Sequence, residues 1–578
     1  GAAAPTAELW SALTARGELN LFMSSLADSL MGHLLGPLLS GGITVRISQA
    51  GPETPPHVPH TVTWERSDSA PPAEVACRQV LKLVSEGLFG LDPALLRGLG
   101  EALWRPFAAA YVARYAQPAA AAALRAQQAG VSEEDGGEEV AQAARDLEEW
   151  AESLGLVEEP VLGATVEAAV ARVAASSQAG HLAAARDALM ADLTTQGGAD
   201  AGEPVTVGSP IPVDSQFYER LMAGKVPGWE VEDPPCGADV AAGTVLAGGG
   251  CYRVGRGAAR VAAMVGELLD EAAASGNRAI ARPLVGAVRK LGLLARTLPS
   301  VLPPASRDAL AAVPLLGALH HNGLAHLADT LLTAQAAYGP VLEPLLEEQL
   351  GLVSEALALR AAAAAALTAQ VRAQGEALAG VLSPLGNLAR IGRASSAAQG
   401  ITHRKAVAGM VHSLGRLGRV LVATLAPEPL AHVSAQVLGG VCAALVRDVM
   451  AKDDIGIEES KEVRDLLAPL ATDALPALLP APPQQQQQGA GGAQPTISGV
   501  PLAVVREVVV ARCGPLRKLR ALLRLLDAGM RDIVAAWERR ELQAAGFDAG
   551  EVVHLVCALF EGSEYRRDAV ARIQASAW

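Results

Sequence analysis

Aromatic side chains are scarce in this chain of 578 residues, where Phe, Trp and Tyr together make up only 3%. Half of the residues are nevertheless hydrophobic, so the apolar surface is left to Ala, Leu and Val. Ala and Leu lose little side-chain freedom in a helix, so the composition points to an all-α protein. Cysteine is equally thin. Cys77, Cys236, Cys251, Cys442, Cys513 and Cys557 are scattered and none forms C-x-x-C, which excludes a disulfide framework and fits a reducing compartment. Excess positive charge is lacking too: the net charge is -14 and the pI about 5.4. That disfavours a general grip on nucleic-acid phosphates and attraction of the whole chain to an anionic bilayer. Apolar runs such as Val437 to Val446 fall short of the ~18 residues that a span needs, so no direct membrane insertion is expected. No signal peptide is evident, and the chain opens on Gly1 rather than Met, as a fragment would.

At ~150 residues per domain, the length allows three or four helical modules in series. Leu19, Phe22, Met23, Leu26, Leu30 and Leu34 keep one face apolar at spacings of three and four, which predicts helix. Ile43, Val45 and Ile47 then alternate with polar residues, as do Val62 and Trp64 across a proline-rich stretch, and these predict a small β-hairpin, the clearest β signal in the chain. Phe89, Leu95, Leu96, Leu99, Leu103 and Phe107 are expected in a core. The expected organisation is a helical module at 1–128 with the hairpin near 43–65, a second at 129–195, an irregular acidic and Gly-rich arm at 196–255, central helical bundle modules at 256–480, a Gln/Gly/Pro linker at 481–498 and a C-terminal helical module at 499–578. Breaks in the central helices are expected at Pro303-Pro304, Pro340, Pro384 and Pro427 to Pro429. Leu516, Leu519, Leu523, Leu526, Met530, Ile533 and Trp537 alternate spacings of three and four, an a/d seam expected on one long helix packed against neighbours. Asp548 with Glu551 three residues on makes a capping box, and Ser563 is placed to cap a last helix.

Chemistry-bearing motifs are few. There is no P-loop, no H-E-x-x-H and no G-x-S-x-G. Gly255-Arg256-Gly257 resembles the start of a dinucleotide fingerprint, but Arg260 replaces the third glycine and no strand is predicted ahead of it, so no cofactor is expected. His320, His321 and His326 do not share one helix face at ligand spacing, and packing is favoured over a metal site. The acidic run Glu133, Glu134, Asp135, Glu138 and Glu139 reads as a solvated loop and helix start. The arm holds the only candidate partner-binding residues. Trp229 stands beside Glu230, Glu232 and Asp233, with Phe217 and Tyr218 upstream, and a Trp among acids in an irregular segment can dock into an aromatic or basic pocket. The alternative is that these aromatics pack back onto the chain's own helices.

Three stretches, in order, carry a family resemblance. Residues 546–573 follow the pattern "EV..L..ALF..TE.R...L..I" through Glu551, Val552, Leu555, Ala558, Leu559, Phe560, Glu564, Arg566 and Ile573. Pro314 to Asn322, with Ala328, Leu331, Leu332 and Thr333, is similar to "P.L.A.HHN......LLT". Ala406-Val407, His412, Leu414, Leu417 and Gly418, then Asp454-Ile455 and Glu458-Glu459-Ser460, are similar to "AV..VLHQLKRLGKVW" and "EDIS.ED". The chain thus resembles the zeste-white-ten family over much of 256–578, and more faintly before residue 200. The glutamine linker and the 196–255 loop are departures, and the family's long N-terminal coiled coil has no counterpart. The resemblance implies an all-α, elongated rod of stacked helical bundles of the multisubunit tethering type, with histidines that pack rather than ligate. It implies a non-enzymatic scaffold on the cytoplasmic side of the endoplasmic reticulum, working with other tethering-complex subunits, coatomer and SNAREs in Golgi-to-ER retrograde transport. The alternative it implies is a kinetochore adaptor with Rough Deal and Zwilch that brings in dynein–dynactin for the mitotic checkpoint. A helical enzyme with an unrecognised site is the third reading, disfavoured because no acid, base, nucleophile or metal set assembles in the sequence.

Overall fold

The computed structural model describes residues 4–40, 43–48, 61–66, 72–119, 121–122, 136–194, 204–208, 251–388, 397–481, 496–497 and 500–576. It is all-α, with short antiparallel strand pairs as its only sheets among the described residues. The chain forms two compact units, one of residues 1–183, 267–288 and 338–350, the other of 184–266, 289–337 and 351–578.

In the first unit, α1 (Ala4–Arg16) and α2 (Leu19–Leu30) lead into the hairpin β1 (Ile43–Ser48) and β2 (Thr61–Arg66), as the alternating sequence predicts. Then come α3 (Ala73–Leu83), α4 (Pro93–Tyr111), α5 (Gly136–Ser153) and the first part of α6 (Leu162–Thr194). Pro93 at the first position of α4 gives up an amide that would go unpaired anyway, and Asp92 caps that end by accepting from Ala94 N and Leu95 N. The scarce aromatics are concentrated here. Trp10 packs edge-on to Phe22 and tilts on Phe89, and Trp104, Phe107, Tyr111 and Tyr115 run on as a ladder of neighbouring rings. The six residues expected in the core, Phe89 to Phe107, are all buried. Buried Glu148 accepts from Trp104 Nε1 and from the amides of Val161, Leu162 and Gly163, so one carboxylate seats a ring and caps the start of α6.

The second unit takes in the rest of α6 and parts of α7 (Arg256–Ala274), α8 (Arg278–Val301) and α10 (Pro314–Leu346), together with α9 (Pro304–Ala312). It continues with α11 (Leu352–Leu382), α12 (Ala397–Thr424), α13 (Pro427–Met450), α14 (Ile457–Thr472) and α15 (Ala474–Leu478). The last helices are α16 (Leu502–Arg512), α17 (Gly514–Leu525), α18 (Met530–Glu538), α19 (Ala549–Leu559) and α20 (Glu564–Ala575). One hydrophobic core runs from Ala318 to Ile573, so residues 499–578 pack on the central helices instead of forming a core of their own. Helix α13 is its spine, touching α11, α16, α17 and α19. Both α13 and α11 are long and apolar enough to cross a bilayer, longer than the Val437–Val446 run suggested; two thirds of the apolar stretch of α13 is enclosed by its neighbours, against little over a quarter of that in α11.

Four expectations are corrected. The a/d seam does not lie on one helix: α17 ends at Leu525 and α18 starts at Met530, with Gly529 extended as its N-cap, so the spacing runs on across a break at Asp527-Ala528-Gly529. Pro340 does not break α10. Pro340, Pro344 and Ala336 are all exposed, so the carbonyls that the prolines leave without donors face water, while Leu342 and Leu346 stay buried on the opposite face. The arm is not irregular throughout, because β3 (Val205–Gly208) pairs with β4 (Cys251–Val254) across its base. The expected linker ends in structure: β5 (Thr496–Ile497) pairs with β6 (Val500–Pro501), and Ile497 is buried in the core.

Candidate functional site

Helix α10 carries the His-His-Asn segment, and its polar residues meet three other elements of the second unit. Buried Asn322 donates through Nδ2 to the carbonyls of Arg253 in β4 (2.9 Å) and Thr424 at the end of α12 (2.8 Å). Seven residues on, two turns along the same face, buried Asp329 accepts from Tyr252 Oη of β4 (2.6 Å) and from Arg360 of α11 (2.5 Å). Between them, the ring of His326 lies 5.6 Å from that of Tyr252. His321 Nδ1 sits 3.0 Å from the Ala363 carbonyl; a carbonyl only accepts, so Nδ1 carries the proton. At the start of the helix, fully buried Gln370 of α11 donates to the Pro314 carbonyl (2.7 Å).

The histidines are held neutral. Burial pushes His320 down to about 4, helped by neighbouring His321. Burial also lowers His321 and, against the pull of Asp329, His326. Among the described residues no group of three His, Cys, Asp or Glu side chains is placed to hold a metal. Asn322, Asp329, His321 and Gln370 make hydrogen bonds that join β4, α10, α11 and α12, and so fix these elements to one another.

The Gly255-Arg256-Gly257 turn departs from its sequence reading in an informative way. A strand does precede it, since β4 ends at Val254 and α7 starts at Arg256. The helix N-terminus is nevertheless filled: Asp192 at the end of α6 accepts from Gly257 N (3.0 Å) and Ala258 N (2.8 Å). A Cβ at Gly257 would fall 2.1 Å from the Ala188 carbonyl, so the glycine serves close packing of α7 on α6. A carboxylate of the chain itself thus stands where a dinucleotide's phosphate would lie.

The family-like stretches further on are also joints. Ala406, Val407, Leu414 and Leu417 are buried along α12, whereas His412 is exposed. Gly418 lets α15 approach so closely that a Cβ would lie 2.1 Å from the Leu478 carbonyl. The turn from Lys452 to Ser460 ties three helices. Ile455 N donates to the Ala558 carbonyl of α19 (2.8 Å), and the Ser460 hydroxyl donates to the Leu526 carbonyl after α17. Lys452 pairs with Glu459, both largely buried, and the Lys452 carbonyl lies 3.2 Å from His554 Nε2 of α19. The capping box of Asp548 and Glu551 forms as expected, and Ser563 caps α20. Trp537 Nε1 donates to the Ile573 carbonyl (3.2 Å), locking α18 to α20.

The arm residues Phe217, Tyr218, Trp229, Glu230, Glu232 and Asp233 lie outside the described residues, as do Glu133, Glu134 and Asp135; Glu138 and Glu139 fall in the first turn of α5. Asp192, Tyr252, Asp329, Arg360 and Lys452 were not picked out from sequence. The available signal was faint: Asn322 and Asp329 are polar residues seven apart on the apolar face of a helix.

Fold and junctions together define a helical scaffold, in which the polar residues that converge serve to fix helices to one another. Residues 405–573 match the family model for the ZW10 C-terminal helical domain, which supports the resemblance of the chain to the zeste-white-ten family. No curated protein gives a significant match to the chain.

Proposed function

We propose that this protein is a non-enzymatic scaffold subunit of a membrane-tethering complex on the cytoplasmic face of the endoplasmic reticulum, where it helps capture coatomer-coated vesicles from the Golgi and contacts SNAREs. The observation that carries the scaffold reading is the match of residues 405–573 to the ZW10 C-terminal helical domain. The tethering reading is supported by the arm, which leaves and rejoins the second unit between β3 and β4 and bears Trp229 beside Glu230, Glu232 and Asp233. A Trp flanked by acids suits a basic, aromatic-lined pocket on a coat protein.

Affinity purification of the chain from interphase and from mitotic cells tests this. Recovery of coatomer and SNAREs in interphase is expected. Recovery of only Rough Deal, Zwilch and dynein–dynactin, confined to mitosis, would replace tethering with the kinetochore adaptor. Trp229→Ala should weaken coatomer binding by about 2 kcal/mol, the size of a buried aromatic hot spot, without lowering the melting temperature. Lost stability with intact binding would place Trp229 inside the protein's own fold.

A further inference from the structure

A cleft of about 680 Å³ opens in the second unit between α13, the start of α17 and the turn ahead of α19. Its apolar part is formed by Val446, Met450 and Pro515, and its charged part by Arg447, Arg517 and Lys518. The volume lies within the range of sites that enclose small ligands or a few side chains.

The charges are unevenly matched. Glu551 is the only acid in the lining, and it is already committed: it accepts from Lys518 Nζ at 2.5 and 2.7 Å and from Asp548 N at 3.0 Å in the capping box. Exposed Arg447 forms no salt bridge with any described residue. The cleft therefore keeps a positive surplus in a chain whose net charge is -14.

We propose that this cleft binds an acidic peptide segment of a partner subunit, with one large apolar side chain on Val446, Met450 and Pro515 and a flanking carboxylate on Arg447. An arginine guanidinium suits a carboxylate because its fork of donors matches the two oxygens. The apolar part argues against a free phosphate, which would gain nothing from it. A net negative chain with one local patch argues against an anionic bilayer, which rewards broad clusters of Lys and Arg. No aromatic residue lines the cleft for a nucleobase to stack on. The inference rests on the scaffold reading only in taking the peptide from another subunit. The assay below needs neither coatomer nor any named partner, so the two can fail separately.

The test is fluorescence anisotropy with the full chain and a labelled synthetic peptide, Glu-Asp-Glu-Leu-Trp-Glu-Asp-Glu, against a control with Gln and Asn replacing its acids. The acidic peptide should bind, should weaken as salt is raised, and should bind at least about tenfold better than the control. Arg447→Glu should weaken it by about tenfold or more, and Ala443→Trp, which plugs the cleft from an exposed position on α13, should do the same without removing a charge. Both positions are exposed, so melting should be unchanged, and Arg447→Gln serves if the reversal disturbs folding. Absence of binding, equal binding of the control, or unaltered binding by both variants overturns the proposal. So does binding to vesicles of equimolar phosphatidylserine and phosphatidylcholine, lost on Arg447→Glu, without peptide binding; that would make the cleft a lipid site.

Discussion

Replacing Asn322 by Ala removes the one side chain that donates to both β4 and the end of α12. Two carbonyl oxygens then lose a donor. The Thr424 carbonyl is on a buried residue and should bear most of a desolvation penalty of about 2 kcal/mol, while the half-buried Arg253 can recruit water and should cost about 1 kcal/mol. The sum, about 3 kcal/mol, is roughly a hundredfold in an opening equilibrium. Because the chain forms two compact units, a single melting curve would blur the effect, and hydrogen exchange read by mass spectrometry is the suitable assay. Amides of Cys251–Val254, the last turn of α12 and the middle of α10 should exchange about a hundredfold faster, and those of α4 in the first unit should not change. Asn322→Asp keeps the shape but turns a carboxylate toward two carbonyls, so it should be worse than Ala. Exchange within about twofold of wild type in Asn322→Ala, or a milder effect of Asp than of Ala, would refute the idea that this residue fixes the junction.

Gly418→Ala would drive a Cβ to 2.1 Å from the Leu478 carbonyl, so α12 and α15 must separate; a loss of about 1–3 kcal/mol is expected in urea denaturation, and an unchanged midpoint would contradict the packing. Lys452→Ala strands the largely buried Glu459 and should cost about 3–5 kcal/mol, whereas Lys452→Met with Glu459→Met should recover most of it, as hydrogen exchange in α14 of the two variants and the wild type can decide. His320 remains neutral in the fold down to about pH 4, while the unfolded chain takes up a proton near 6.5. Its stabilising contribution is therefore complete above about pH 6.5 and is lost as pH falls toward 4, on the order of 3 kcal/mol in all. His320→Gln should flatten that part of the stability–pH curve, and an identical curve in the variant would remove this account.

What could be read from the sequence was local in origin. The β1–β2 hairpin follows from alternation, the caps at Asp548 and Ser563 from spacing within one turn, and the core of α4 from helical periodicity. Periodicity misleads when it continues across a break, as from Leu526 to Met530, where only the extended Gly529 marks that one helix has ended. It is blind to partners far along the chain. Val205–Gly208 is too short to declare itself a strand until Cys251–Val254 lies beside it, and Asn322 reads as one polar residue in an apolar helix until carbonyls 69 and 102 residues away come within reach. The carboxylate of Asp192 at the start of α7 is equally distant in sequence, so the glycine turn could be discounted as a nucleotide site but not explained.

The pairing of β3 with β4 has a consequence for how this chain can be altered. Gly208 and Cys251 are partners across two strands, so residues 209–250 are inserted through a gap one strand spacing wide. For such a loop the closure entropy grows only with the logarithm of length, and doubling it costs ~0.6 kcal/mol. Chain added between Gly208 and Cys251 should therefore cost the packing of the second unit little, because α6 and α7 stay joined through Asp192. The same gap is a natural socket for engineering: a fluorescent reporter or an affinity handle whose own termini lie close together can be grafted between the two strands and leave the helical packing untouched.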